Sequence, residues 1–155
     1  MATAWNNIEG SATLSSMDGA GCIDANAAWR VVDAGRYAFG TLTPASFSAP
    51  PPNGEFTART VSIQAGKKVR VCLSWDSNPS GGPAYTTNPL NADLDLRVYG
   101  PSGSIVASSS SGIQPFEVVR FVASTTGNYQ VRIRNFAFAG ASEFYGVAVS
   151  TSDDI

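Results

Sequence analysis

From residue 57 onward, apolar and polar side chains alternate with a period of two. In Lys68-Val69-Arg70-Val71-Cys72-Leu73-Ser74-Trp75, the residues Val69, Val71, Leu73 and Trp75 share one face, while Arg70, Cys72 and Ser74 take the other, the signature of a half-buried strand. Thr57 to Gln64 has the same character. Ala65-Gly66-Lys67 separates the two runs, and that spacing predicts a hairpin. Further strands are expected at Leu94 to Tyr99, Ser104 to Ser108, Phe116 to Val122, Asn128 to Arg134 and Phe144 to Ser150, with turn signals such as Gly100-Pro101-Ser102-Gly103 between them. One helix precedes them: Asp24 is placed to cap it, Ile23, Ala27, Ala28, Val31 and Val32 gather on one side, and Gly35 ends it.

This pattern predicts an all-β chain, an antiparallel β-sandwich or jelly roll of about 7–9 strands with one short N-terminal helix. Residues 1–35 form the helical segment and 56–152 the sandwich. The stretch 36–55, which runs into Ala49-Pro50-Pro51-Pro52-Asn53-Gly54, reads as a linker because no regular element continues through it. Composition agrees: of 155 residues 43% are apolar and 14% charged, enough for one ordinary core. A formal charge of -2 supplies no positive field, so neither nucleic acid nor an anionic membrane is an expected partner. Few lysines, many Ser, Thr, Gly and Asn residues and the lack of histidine point to a secreted protein. The N-terminus has no signal-peptide pattern, so the chain is expected to be an internal piece of a longer one.

The absence of histidine and of a Gly-x-Ser-x-Gly elbow predicts no catalysis by this chain alone. Two carboxylates stand out. In Asn91-Ala92-Asp93-Leu94-Asp95-Leu96-Arg97-Val98, alternation sends the apolar residues inward and sets Asp93 and Asp95 side by side, about 7 Å apart. Such a pair needs positive charge. Calcium would supply it, with Asp76, Asn78 or nearby carbonyls completing the site. Arg97, or Arg132 and Arg134 on a neighbouring strand, would supply it as cross-strand ion pairs. A glycosidase is disfavoured, because two carboxylates pointing the same way from one strand do not flank a substrate. Cys22 and Cys72 are the only cysteines; a disulfide between them would close a loop of about 50 residues and stabilise by about 4 kcal/mol, and two separate buried thiols are the alternative. The stretch from Asp76 to Leu90 exceeds a hairpin connection, which marks Asn78, Tyr85 and Asn88 as a candidate binding loop.

Several segments carry a family resemblance. Met1-Ala2-Thr3-Ala4, then Asp18-Gly19-Ala20-Gly21-Cys22-Ile23-Asp24-Ala25 and Ala27-Ala28, resembles the closing segment of the catalytic domain of subtilisin-like serine proteases. The remainder, through Leu73-Ser74-Trp75-Asp76, Asp93-Leu94-Asp95-Leu96-Arg97-Val98, Gly100-Pro101-Ser102-Gly103 and Gly127-Asn128-Tyr129-Gln130-Val131-Arg132-Ile133, is similar to the β-sandwich domains appended to bacterial subtilases, related to P-domains and pre-peptidase C-terminal domains. Here Asp76 follows Trp75 directly and Ala92 separates Asn91 from Asp93, and both are departures from the relatives' pattern. The resemblance implies a non-catalytic accessory domain, its partner the subtilase catalytic domain of the same polypeptide and its surface available to protein substrate. From another class, a carbohydrate-binding module of an extracellular hydrolase would share the architecture and need a row of exposed aromatics, for which Tyr85, Phe136 and Phe138 are the candidates.

Overall fold

The computed structural model describes residues 2–4, 22–76 and 90–154, and among them are eight strands and one α-helix. The elements run α1 (Ala25–Asp33), β1 (Tyr37–Leu42), β2 (Gly54–Ile63), β3 (Lys68–Trp75), β4 (Ala92–Tyr99), β5 (Ile105–Ser109), β6 (Phe116–Val122), β7 (Gly127–Phe138) and β8 (Glu143–Thr151), with a 3-10 turn at Pro44–Ser46 after β1. The strands form two four-stranded antiparallel sheets, ordered β1-β8-β3-β6 and β2-β7-β4-β5. This is jelly-roll order, and every connection except that between β4 and β5 passes from one sheet to the other.

The inward halves of the alternating strands make the core. Val69, Val71, Leu73 and Trp75 of β3 face Leu94, Leu96 and Val98 of β4, together with Tyr129, Val131 and Ile133 of β7 and Tyr145, Val147 and Val149 of β8. Each such side chain contributes about 1.5–3 kcal/mol by leaving water. Trp75 brings a polar atom inside, and its indole N–H donates to the Ala92 carbonyl at 2.9 Å.

Three expectations need correction. The turn at 64–67 is not a hairpin: β2 pairs with β7, β3 with β6 and β8, and the turn carries the chain between layers. Gly66, at φ +85°, makes that crossing, and its N–H reaches the Ala123 carbonyl of the loop after β6. The stretch 36–55 is more than a linker, because β1 lies within it and pairs along its whole length with β8. Its short run Tyr37-Ala38-Phe39-Gly40-Thr41-Leu42, ending before a proline, gave the strand little contrast. Finally, α1 buries only Ala27 and Val31 fully, whereas Ile23 and Val32 are exposed and Trp29 is 62% exposed. The ends of the helix form as expected: the Asp24 side chain accepts from the Ala27 N–H at 2.8 Å, and Gly35 at φ +61° closes it with Arg36 N–H bonded to Val31 O.

The N-terminal residues are part of the same body. Ala2, Thr3 and Ala4 are buried; the Ser150 hydroxyl of β8 donates to the Ala2 carbonyl at 2.5 Å and the Arg70 guanidinium of β3 to the Ala4 carbonyl. Arg30 of α1 donates to the Asp153 carbonyl, and Arg36 pairs with Asp154.

Candidate functional site

Charged residues concentrate on the outer face of the β2-β7-β4-β5 sheet. Register places Arg97 of β4 directly opposite Arg132 of β7, a repulsive pair unless an anion joins them. Glu55, at the start of β2, is that anion. Its carboxylate accepts from Arg97 Nη1 and Arg132 Nη1, each at 2.9 Å, and from the Tyr99 hydroxyl at 2.7 Å, while the Arg132 guanidinium lies 4.3 Å from the Tyr99 ring centroid. Burial alone would raise the Glu55 carboxyl; the hydrogen bonds from Tyr99, Arg132 and Arg97 outweigh it and hold the group below its ordinary value.

The same logic settles Asp95. It stands opposite Arg134 on β7, which donates to its Oδ2 at 2.7 Å and to the Pro52 carbonyl through Nε at 2.6 Å. The neighbouring Asp93 is pushed up by burial and by the charge of Asp95, with Arg134 pulling it back, and its Oδ1 is buried with no hydrogen-bond partner. Glu117 of β6 joins this group. It is buried, accepts from the Ser109 hydroxyl and from the Ser111 N–H at 2.5 Å, and is raised by burial and by Asp95 and Asp93 despite those bonds. Asp95 thus meets a guanidinium, while Asp93 has that charge nearby and a buried oxygen without a hydrogen-bond partner. Among the described residues no three His, Cys, Asp or Glu are grouped to hold a metal. Asp76 is exposed at the end of β3 and acts on a different carboxyl, Glu143, which burial and the Asp76 charge raise and whose Oε2 is buried without a partner.

The structure joins Cys22 and Cys72 by no disulfide. Cys72 is buried on the outer face of β3, beside Ala2, and burial pushes its thiol up to about 12, so it behaves as an inert apolar residue; Cys22 is exposed ahead of α1. Asn78, Tyr85 and Asn88 lie outside the described residues. Of the other aromatic candidates, Phe138 packs edge-on against Phe47 at the core, and Phe136, half-exposed, sits under the Arg134 guanidinium at 5.3 Å. The exposed aromatic row is elsewhere: Tyr37 and Phe39 of β1 lie parallel within 4° at 6.1 Å, and Phe144 of β8 is 6.2 Å from Phe39. The i, i+2 spacing of Tyr37 and Phe39 signalled that row. The alternation pattern does not single out Glu55 or Glu117, although the surplus of arginine over aspartate on the predicted strands points to a further anion such as Glu55.

No protein-family model matches the chain, and neither does any curated protein sequence. Among solved structures it is similar to the pre-peptidase C-terminal domain of a Bacillus anthracis collagenase (TM-score 0.49, 11% identity, 74% of this chain and 87% of that one). It is also similar to the Aeromonas hydrophila PliG, a periplasmic inhibitor of g-type lysozyme (TM-score 0.46, 14% identity, 75% of this chain and 84% of that one). A third is the C-terminal CBM6 of the Zobellia galactanivorans laminarinase LamC (TM-score 0.35, 10% identity, 72% and 98%). These likenesses carry no functional argument, and the fold stands on its own strand pairing.

Proposed function

We propose that the chain is a non-catalytic accessory domain of a secreted subtilisin-like serine endopeptidase, packing against the catalytic domain of the same polypeptide and stabilising it. The observation that carries this reading is the seating of residues 2–4 and α1 on the sandwich. The stretch that resembles the end of a subtilase catalytic domain is pinned to β3 and β8 through Arg70 and Ser150, and the helix beside it leaves Ile23, Trp29 and Val32 exposed to a neighbour. The charged groups support a passive role. Glu55, Asp95 and Glu117 are spent on internal hydrogen bonds rather than held ready for proton transfer.

The test compares the longer polypeptide with and without the sandwich. Deleting the domain is expected to shorten the protease's half-life at elevated temperature, while the isolated chain cleaves no peptide. Peptide cleavage by the chain itself, an unchanged half-life, or a polypeptide with no protease ahead of Ala2 would each end the reading. Calcium belongs to the same experiment: with Arg134 on Asp95, the melting temperature is expected to be the same in calcium and in chelator, and a rise with calcium would restore a metal at Asp93 and Asp95.

A carbohydrate-binding module is the second reading, favoured by the parallel rings of Tyr37 and Phe39 with Phe144 beside them. Binding on a glycan array, lost on Phe39→Ala, would support it.

A further inference from the structure

Among the described residues the sandwich has four edge strands, and they are not equally guarded. β5 has five residues and approaches β6, with Ser109 of one bonded to Glu117 of the other, so these two edges cover each other. β2 carries Glu55 and Arg59, has a bulge between Thr57 and Arg59, and follows three prolines. These are the standard defences of an edge against pairing with another chain. β1 approaches β2, with Arg59 beside its first residues, but carries none of these devices on the strand itself. Tyr37–Leu42 contains no charge and no proline, its register with β8 is unbroken, and its two outward aromatics are 39% and 65% exposed.

Its backbone faces outward in a defined pattern. Val149 N–H donates to Arg36 O at 2.9 Å, which fixes Ala38, Gly40 and Leu42 as the residues hydrogen-bonded to β8. The N–H and C=O groups of Tyr37, Phe39 and Thr41 therefore point away from the sheet. These are also the residues whose side chains stand on its outer face. A cavity of about 460 Å³ lies between the strand and Ala58 and Arg59 of β2.

We infer that β1 is a self-association edge, and that its occupant is β1 of a second copy of this chain, antiparallel, with Phe39 on the two-fold axis. That register pairs Phe39 with Phe39 and Tyr37 with Thr41 of the second copy, and opposed residues in an antiparallel pair share a face. It satisfies both demands at once. The outward main-chain groups of Tyr37, Phe39 and Thr41 meet their counterparts, and the aromatic rows of the two copies merge on one side of a continuous eight-stranded sheet. Ala38 lies opposite Gly40 on the inner side, two small residues next to the axis. An uncharged strand does not repel its own copy, which is why this sequence suits a second copy. With six residues a side, the interface is of the small class whose association is weak and depends on concentration.

Sedimentation of the full chain over a concentration series up to about 1 mM tests this, since weak pairs populate only at high concentration. A monomer–dimer equilibrium is expected. Phe39→Lys, which sets two ammonium groups at the axis, should raise the dissociation constant at least about tenfold. Thr41→Pro removes an outward N–H without touching a bond to β8, and should weaken the dimer while circular dichroism and melting stay near those of the parent. Ile113→Lys, at an exposed position on another loop, should leave the dimer unchanged. A chain that stays monomeric throughout, a dimer indifferent to both β1 variants, or glycan binding by a monomer through Phe39 would overturn the inference.

Discussion

The two outer faces of the sandwich are built on opposite principles. On the β2-β7-β4-β5 sheet, Arg97, Arg132 and Arg134 are satisfied by Glu55 and Asp95 from neighbouring strands. On the β1-β8-β3-β6 sheet Ala148, Gly146, Cys72 and Ser74 make a small, uncharged stretch, and residues 2–4 lie over an end where Arg70 stands opposite Arg120. On the first face most charges are traded among its own strands, and Asp93 keeps one buried oxygen without a hydrogen-bond partner. The second presents main chain and rings, and gains by being covered. One fold thus holds a finished surface and a receptive one, and the difference lies in which strands received paired charges.

Removing one arm of the finished face should show the largest effect. Arg134→Ala leaves Asp95, whose side chain is 6% exposed, and Asp93 facing each other, and is expected to cost about 3 kcal/mol in denaturant unfolding. Glu55→Ala strands Arg97 and Arg132 opposite one another; both are partly exposed and screened, so about 2 kcal/mol is expected.

The pH dependence should come next. Asp93, Glu117 and Glu143 are raised in the folded state, so the folded protein binds their protons more readily than the unfolded chain does; their cost is complete above those folded values and gone below the ordinary 3.8 and 4.5. Glu55 is lowered, so its contribution is present above 4.5 and lost as pH falls through its folded value. Melting temperature should therefore rise as the pH is lowered toward the folded values of Asp93, Glu117 and Glu143, and fall again once Glu55 takes up its proton. Asp93→Asn should flatten the rise, and Glu55→Gln the fall.

The receptive face should respond less. Ser150→Ala loses the buried bond to the Ala2 carbonyl and is expected to cost about 1 kcal/mol. Lys67→Ala, which removes an exposed pair with Asp153, should cost under about 0.5 kcal/mol.

Strand identity was readable wherever one side faced the core: β3, with Val69, Val71, Leu73 and Trp75 alternating, lies at the residues its pattern marks. Pairing was not. A turn such as 64–67 shows that the chain reverses without showing which layer the next strand joins, and that choice depends on partners far along the sequence. β1 escaped notice because its outward residues are aromatic, so the polar half of the alternation is missing. At the charged site, the ion-pair partners of the aspartates were legible as alternatives from strand parity, but choosing Arg134 over Arg97 required the register of β4 on β7. Glu55 contributes a single carboxylate beside a proline run, and nothing local in its sequence reveals the three donors that converge on it.

Jelly-roll order also bears on how the molecule forms. Of the six strand pairings among the described residues, only β4 with β5 joins sequence neighbours; β1 must find β8 more than a hundred residues along the chain. Most contacts therefore arise only after long loops close, which places folding in the millisecond-to-second range. Among the described strands β1 pairs with β8 alone, so during synthesis on the ribosome β3 and β6 can join while β1 still waits for β8.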